Sequence, residues 1–163
     1  MIFRFEIMQN EFGNPVLEKV EQFEVNTDNG CNLPTIMYIM NECYSLDRLN
    51  NEHVYIVSLD YYGRIIGVYL VSIGTYKQCC IDNRSIACFL ALSGAKKFIM
   101  IHNHPDDKLE VSYDDLNSSN EIEKLALILG VEFDGSYIVG KSGWLKADKK
   151  TDIVKWEEYD YER

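Results

Sequence analysis

The stretch IMIHNHPDDKLEVSYDDLN, residues 99–117, sets two of the chain's three histidines two positions apart, directly after an apolar run. Side chains alternate along an extended chain, so His102 and His104 point to the same side as the chain leaves a strand. Two imidazoles at this spacing can hold a divalent metal ion through nitrogen. Pro105 has no N–H and ends the strand. The stretch therefore predicts a buried strand that delivers a metal-binding pair.

A third ligand for a metal lies close by in the sequence. A catalytic zinc takes about three protein ligands and leaves one position open. Asp115 follows His104 by eleven residues, at the first turn of a predicted helix, and Ser112 lies three residues before it. Alone, Ser-x-x-Asp is typical of a helix N-cap with an acidic residue in the first turn, and this structural interpretation stays open. The combination with His-x-His-Pro favours a metal site.

Composition limits the classes of function. The chain has 163 residues, with 26 acidic and 16 basic side chains and a net charge of −10. That length suits one domain and a short extension. The acidic balance argues against non-specific binding to nucleic acid or anionic lipid, which needs a basic face.

Cysteine usage and hydropathy predict a location. The five cysteines are odd in number and form no C-x-x-C pair, which predicts reduced thiols. No signal-peptide h-region and no apolar run of membrane-spanning length is found. We therefore predict a cytoplasmic protein with no membrane partner.

Hydrophobic periodicity predicts a mixed α/β fold. FRFEIM, residues 3–8, alternates as a half-buried strand, and VLEKVEQFEV predicts a second one. The later elements are expected in the order helix, hairpin, helix, strand, helix, strand, over residues 33–49, 52–74, 83–94, 97–102, 114–130 and 131–140. The first of these helices carries a predicted core stripe of Ile36, Ile39, Met40, Cys43 and Leu46. This order predicts a sheet covered by helices on its faces.

The domain organisation follows from these elements. Residues 1–32 are predicted to be an N-terminal strand extension that ends in the turn-rich NTDNGCN, and residues 33–146 a single domain. Residues 147–163 form a polar, aromatic tail with no assigned structure. The strand FRFEIM offers an edge that a second copy can pair with, so a homodimer is one partner hypothesis.

The stretch HNHPDDKLEVSYDD resembles the JAMM motif of the JAB/MPN zinc metalloprotease superfamily, His-x-His-Pro-x6-Ser-x-x-Asp, in the HNHP form of its RadC branch. The resemblance continues in the family's order through NEHVYIVSLDYYGRII, VSIGT, DNRSIACFLALSGAKK and LGVEFDGSYIVG, over roughly residues 33–146. It implies a JAB/MPN fold with cytidine-deaminase-like layering, in which helices flank a mixed sheet.

The same resemblance implies a chemistry and its residues. It implies Zn²⁺ held by His102, His104 and Asp115. It also implies Glu52 as the base that handles the proton of the attacking water, and Ser112 as the donor to a developing oxyanion. The implied reaction is hydrolysis of an amide or isopeptide bond in a peptide or protein substrate.

Three neighbouring assignments are more open. Spacing alone does not select Glu52, because the chain has many glutamates, and its alternative interpretation is a solvated residue at a strand start. Alternation aims His53 away from Glu52, so we expect it to be structural or exposed rather than a ligand. Arg84 matches a family arginine near a helix start and is a candidate for binding or structure.

The sequence departs from the family's pattern in several places. After HNHP the usual sequence is Ser-Gly-Asp, with a proline before the serine, whereas this chain has DDKLEV. The family's Asp-His near the last strand reads Asp134-Gly135. Full RadC proteins carry a helix-hairpin-helix region upstream, for which the first 32 residues are too short and too strand-like.

These departures support an alternative function. A RadC-like DNA-repair or mobile-element accessory protein would act as a binding module and use zinc structurally or not at all. Binding to DNA itself is not supported by the charge of the chain.

Acidic side chains crowd the region after the histidines, at Asp106, Asp107, Glu110 and Asp114. Negative charge around a site repels acidic ligands and attracts basic ones. We therefore predict a substrate that is basic or neutral.

Overall fold

The structure is a computed structural model that describes residues 1–25, 31–75, 80–148 and 152–156. Its helices are α1 (Leu33–Tyr44), α2 (Asn83–Ser93) and α3 (Tyr113–Leu129). Its strands are β1 (Ile2–Gln9), β2 (Pro15–Phe23), β3 (His53–Leu59), β4 (Ile65–Ile73), β5 (Lys97–Asn103), β6 (Glu132–Val139), β7 (Gly143–Lys146) and β8 (Val154–Lys155). The predicted order of helices and strands is confirmed.

Within the described residues, eight strands pair into one mixed sheet in the order β2-β1-β4-β3-β5-β6-β7-β8. The pairs β1–β4 and β5–β6 are parallel, and the other neighbours are antiparallel. The sheet and its helices give the mixed α/β architecture expected of a JAB domain. The carboxyl end of β5 lies between the amino end of β3 and the carboxyl end of β6, and this arrangement sets the place of the site.

The strand β1 lies inside the sheet, between β2 and β4. The prediction that FRFEIM pairs edge to edge with a second copy is therefore wrong, because both sides of β1 have partners within the chain. The edge strand on this side of the sheet is β2, where Glu18, Lys19 and Glu21 are exposed and the pairing with β1 carries a bulge. Charges and bulges on an edge disfavour pairing with another sheet. Homodimer formation stays a prediction.

Alternating side chains place one apolar core on each face of the sheet. On the first face α1 packs against residues such as Tyr55, Val57 and Ile101. On the other face α2 and α3 cover Val54, Ile56 and Met100 and neighbouring residues. In the predicted core stripe, Ile36, Ile39, Met40 and Leu46 are buried, and Cys43 is half-buried.

Two helix ends confirm the predicted stops. Gly94 follows α2 with φ of +68°, and Gly130 follows α3 with φ of +67°. This left-handed backbone is open to glycine at no steric cost. The stop after α2 matters for the site because β5 begins three residues later.

The helix α1 ends at Tyr44, five residues before the predicted end at residue 49. Ser45 takes a left-handed conformation, and the side chain of Asn41 accepts a hydrogen bond from the N–H of Asp47 at 2.9 Å. An Asn side chain that bonds the backbone in this way competes with the helical bonds. A short 3-10 turn, Leu46–Arg48, then leads toward β3.

The sheet is continuous with the chain segments predicted to be an extension and a tail. Both β1 and β2 lie in residues 1–32, and β8 lies in residues 147–163. The division at residues 32 and 146 stays a prediction. Residues 26–30 of the predicted boundary and residues 149–151 and 157–163 of the tail lie outside the described residues. The strand β7 was not predicted, because its four residues gain their stability from pairing with β6 and β8.

Among the described residues, no helix is both long enough and apolar enough to cross a membrane.

Candidate metal centre

The strand β5 brings His102 to the end of the sheet in a buried position. His102 is 3% exposed and lies between Val54 of β3 and Ile138 of β6. His104 lies just beyond the strand, where its N–H donates to the carbonyl oxygen of Val139 at 2.8 Å. The chain therefore stays extended through both histidines, and their side chains share one side as the alternation predicted.

The first turn of α3 brings the third candidate ligand, the carboxylate of Asp115, to the same place. Ser112 is the N-cap of α3, and its Oγ accepts a hydrogen bond from the N–H of Asp115 at 3.1 Å. In return, Oδ2 of Asp115 accepts from the N–H of Ser112 at 2.8 Å and from its hydroxyl at 2.6 Å. The N-cap interpretation is thus confirmed. It leaves Oδ1 of Asp115 directed at His102, so a cap and a metal ligand are compatible in one side chain.

The ligand atoms of His102, His104 and Asp115 all lie within 4.8 Å of one another. The two Nε2 atoms are 3.2 Å apart, and Asp115 oxygens lie 3.0 Å and 3.8 Å from Nε2 of His102 and of His104. Ligands about 2.0–2.2 Å from a tetrahedral zinc are separated by roughly 3.3–3.5 Å. The observed distances bracket that value, so the residues fit a zinc ion.

Interactions between the candidate ligands lower the pKa of Asp115 and raise the pKa of His104. Burial works to raise the pKa of Asp115, but hydrogen bonds with His102 and His104 outweigh it and hold that pKa well below its usual range. Burial works to lower the pKa of His104, but the bond with Asp115, the bond with the Lys108 carbonyl and the charges of Asp115 and Glu52 together outweigh burial and raise that pKa. A metal ion needs the carboxylate and the neutral imidazole, so metal binding competes with protons for His104.

The ring of His104 is oriented by the backbone. Its Nδ1 lies 2.7 Å from the carbonyl oxygen of Lys108. A carbonyl oxygen can only accept a hydrogen bond, so Nδ1 of His104 carries the proton in the neutral ring. The lone pair is then left on Nε2, the atom that faces His102 and Asp115. A metal-ligating histidine is commonly held by such a bond from its other nitrogen.

Glu52 lies beside the three candidate ligands. It lines the same cleft, of about 590 Å³, as His102, His104, Ser112 and Asp115. Burial raises the pKa of the Glu52 carboxyl, and the two imidazoles counteract part of that rise. A carboxyl group with a raised pKa takes up protons more readily near neutral pH. The structure thus brings together all five residues that the sequence analysis singled out, and the roles assigned to them stay predictions.

Asn103 holds the segment that carries Glu52, and the sequence analysis missed this. Asn103 is 1% exposed. Its Oδ1 accepts a hydrogen bond from the N–H of His53 at 2.7 Å, and its Nδ2 donates to the carbonyl oxygen of Asn51 at 3.1 Å. The two bonds lie on either side of Glu52. Nothing in the sequence pattern indicates this contact, because Asn103 and His53 are fifty residues apart in the chain.

The remaining candidate residues lie away from the ligand group. Nδ1 of His53 lies 2.9 Å from the carbonyl oxygen of Asn51, and its ring stacks on Tyr55. Arg84 is exposed in the first turn of α2 and does not line the cleft. Gly135, where the family has histidine, has φ of +119°, and a Cβ there would lie 2.6 Å from Cε of Lys146.

In the loop after the histidines, an aspartate takes the position at which the family has glycine. Asp107 occupies that position and has φ of +59°. Aspartate is one of the few residues other than glycine that visits this left-handed region. Its Oδ1 accepts hydrogen bonds from the N–H and the hydroxyl of Ser142, at 3.2 Å and 3.3 Å. The loop therefore keeps a glycine-like turn and adds a side-chain bond to the connection between β6 and β7.

The chain is similar to several known proteins and to one family of domains. A UPF0758 protein of Gloeothece citriformis is 31% identical over 69% of this chain and 46% of its own length. A UPF0758 protein from Finegoldia magna is 28% identical over 66% of this chain and 48% of its own length. One from Streptococcus agalactiae is 29% identical over 63% of this chain and 46% of its own length. The chain thus spans about half the length of the curated relatives it matches. The model of the RadC-like JAB domain family matches residues 34–151. This protein belongs to the RadC-like JAB domain family.

Proposed function

We propose that this protein is a zinc-dependent hydrolase of amide bonds, a peptidase or an isopeptidase. The observation that carries the proposal is the convergence of His102, His104 and Asp115 within 4.8 Å in a cleft that Glu52 also lines. Family membership supports it, because the motif that builds this cleft is the one that the JAMM resemblance rests on. In this proposal His102, His104 and Asp115 hold the zinc.

Glu52 is the base in this proposal. When bound, zinc supplies Lewis acidity, which polarises a carbonyl oxygen and acidifies water. The Glu52 carboxylate takes the proton of the attacking water and passes it to the leaving amine. Burial raises the pKa of Glu52 toward neutral pH, which suits a group that must first accept a proton and then release it.

Ser112 is the proposed donor to the oxyanion that develops on the substrate carbonyl. Its hydroxyl now donates to Oδ2 of Asp115 at 2.6 Å. Rotation about its Cα–Cβ bond releases the hydroxyl toward the cleft, while the N–H of Ser112 continues to hold Asp115 at 2.8 Å. The half of the capping box made by the Ser112 N–H and the Asp115 carboxylate therefore survives the movement, and the bond from the Asp115 N–H to Oγ is given up.

The cleft favours a basic or neutral substrate. Asp106, Glu110 and Asp114 line it, and Lys108 is its one lysine among the lining residues. Nζ of Lys108 lies 3.7 Å from Oδ2 of Asp106, so it offsets the negative charge of Asp106 and leaves those of Glu110 and Asp114. Paired peptides that differ by Lys or Glu beside the scissile bond test this, and faster cleavage of the Glu peptide contradicts it.

Metal content is the first test of the proposal. Tag-free protein is supplied with zinc, dialysed and analysed by plasma mass spectrometry. We expect about one zinc per chain in the wild type and in His53→Ala, and almost none in His104→Ala. His53→Ala is the matched control, because it removes a histidine that lies outside the ligand group. Absence of zinc in the wild type contradicts the assignment of the site.

Hydrolysis is the second test. Peptides and lysine-isopeptide conjugates are incubated with the zinc-loaded protein and read by mass spectrometry. Glu52→Gln is expected to keep its zinc, and its rate of hydrolysis should fall by about 10²–10⁴-fold. A chelator should abolish cleavage, and added zinc should restore it. Full zinc occupancy with no cleavage of any substrate favours the binding-module alternative, which a DNA gel shift at physiological salt then examines.

A further inference from the structure

The loop that follows the histidines is anchored on both sides of Lys108. On one side, Oδ1 of Asp107 is bound by Ser142. On the other side, Leu109 is 9% exposed and packs in a small core with Ile138, Leu145 and Ala147. The backbone of Lys108 is thus fixed by its two neighbours, although its own side chain is exposed. Its carbonyl oxygen is the group that meets Nδ1 of His104.

The anchor on the Asp107 side is closely packed. A Cβ placed on Gly140 would lie 2.6 Å from Oδ1 of Asp107 and 3.1 Å from Leu109. The carbonyl oxygen of Gly140 accepts a hydrogen bond from Nε1 of Trp156 at 3.1 Å. Gly140, in the connection between β6 and β7, therefore has no side chain at the point where Asp107 contacts it. Trp156, which follows β8, holds the same backbone through its hydrogen bond.

Asp107 also turns the chain back toward the histidine. Its N–H donates to the carbonyl oxygen of His104 at 3.0 Å, and its φ is +59°. This turn is what allows the Lys108 carbonyl to point at the ring of His104. The side-chain bond to Ser142 offsets the cost of a left-handed conformation in a residue that has a Cβ.

We propose that Asp107 is a positioning residue for His104. Bound by Ser142, it holds the Lys108 carbonyl against Nδ1, which keeps the proton there and leaves Nε2 free for the metal. The inference rests on the proposed function in that His104 is taken as a metal ligand. It goes further by giving a metal-site role to a residue at which this chain departs from its family's motif.

Three substitutions separate the turn from the side-chain bond. Asp107→Asn keeps an Oδ1 acceptor and tolerates the left-handed backbone, so it should bind zinc within about threefold of the wild type. Asp107→Gly keeps the backbone but loses the acceptor, and is expected to bind zinc about 10-fold more weakly. Asp107→Ala loses both and should bind most weakly, up to about 100-fold. Asp152→Asn, an exposed change of the same charge outside the cleft, is the control and should match the wild type.

Two measurements are made on each variant. Zinc affinity is obtained by competition with a chromophoric chelator. The tautomer of His104 is read by long-range ¹H–¹⁵N NMR of the zinc-free protein at a pH where the imidazole is neutral. The wild type and Asp107→Asn should show the proton on Nδ1, and Asp107→Gly a mixture of tautomers.

The second measurement keeps the inference separate from the proposed function. A wild type that binds no zinc contradicts the metal assignment, and the tautomer of His104 then decides the role of Asp107 alone. Asp107→Gly takes the left-handed backbone without strain, and urea denaturation of the zinc-free variant checks that it is folded. If Asp107→Gly shows wild-type zinc affinity and the wild-type tautomer, the proposal is overturned.

Discussion

The two faces of the sheet diverge along the single strand β5. On the α1 face, Ile99 and Ile101 are buried in a core that continues through Tyr137 and Val139. On the face of α2 and α3, Phe98 and Met100 are equally buried, but the next side chain on that face is His102. The same strand therefore builds a closed apolar core on one side and opens into a polar cleft on the other.

This difference teaches how the site is supported. The α1 face owes its stability to apolar burial and close packing, which is non-directional. The end of the other face depends on directional bonds between buried polar groups, where each group needs a specific partner. Substitutions on the α1 face should therefore act mainly through lost packing, and substitutions at the polar end of the other face through lost hydrogen bonds.

Met40→Ala on the α1 face should give the largest loss of stability. Met40 is 0% exposed and packs in the core of that face. Truncation removes buried apolar area and leaves a cavity, so we expect the free energy of unfolding to fall by about 2–5 kcal/mol. Urea denaturation followed by circular dichroism measures this. Glu42→Ala, an exposed change in the same helix, is the control and should stay within about 0.5 kcal/mol. Equal effects of the two would contradict the assignment of this face as the main core.

Asn103→Ala should lower the free energy of unfolding by about 1–3 kcal/mol, because it removes two part-buried hydrogen bonds between its side chain and two backbone groups. Those groups are the N–H of His53 and the carbonyl of Asn51. Urea denaturation gives the stability, and amide hydrogen exchange should show faster exchange at His53. Unchanged exchange there would mean that the bond contributes little to holding the Glu52 segment.

Asp115→Asn should reveal a pH-dependent contribution to stability in the zinc-free protein. Hydrogen bonds outweigh burial and lower the pKa of Asp115 in the folded state. A depressed pKa stabilises the folded state above the pKa of the unfolded chain, about 3.9, and this contribution is lost as the pH falls through and below that value. The wild type should exceed the variant by about 1 kcal/mol near neutral pH, as for loss of a helix cap.

The difference between the two proteins is the quantity to follow, by urea denaturation from pH 7 down to pH 3. It should shrink as the pH falls below about 4, because the wild-type carboxylate alone can gain a proton. A difference that stays constant, or that grows toward acid, would show that the ionised form of Asp115 is not what stabilises the turn.

The smallest effect is expected for Glu132→Gln. Its carboxylate lies 3.1 Å from Nζ of Lys97, but its side chain is 59% exposed. Exposed ion pairs contribute about 0–1 kcal/mol and are screened by salt. Thermal denaturation at low and high salt should show almost no difference from the wild type. A clear loss of stability would mean that charge pairs support the sheet more than the comparison of the two faces allows.

The candidate site shows how far sequence reasoning reaches. The motif predicted the convergence of His102 and His104, because alternation within an extended chain is a local property. It also offered two interpretations of the Ser112–Asp115 turn, a helix cap and a metal ligand, of which the cap is confirmed and the ligand stays a prediction. The choice of Glu52 came from a family resemblance, because no local pattern relates it to residues fifty positions later.

The fold divides in the same way. Periodicity and glycine stops predicted the three helices and most strands, including the ends of α2 and α3. The internal position of β1 and the existence of β7 were not predictable from the sequence, because pairing partners are chosen by the packing of distant segments. The end of α1 at Tyr44 was also missed, since it depends on a side-chain bond of Asn41.

By itself, the sequence determined the chemical types at the site, their local spacing and the side to which the histidines point. Periodicity and capping operate over a few residues, so a sequence read along the chain contains them in full. Only the tertiary structure decided that Asn103 holds the segment around Glu52 and that Lys108, fixed by Asp107 and Leu109, orients His104. Those contacts join β3, β5 and the β6–β7 connection, and they form because the sheet brings together backbone groups whose hydrogen bonds must be satisfied once water is excluded.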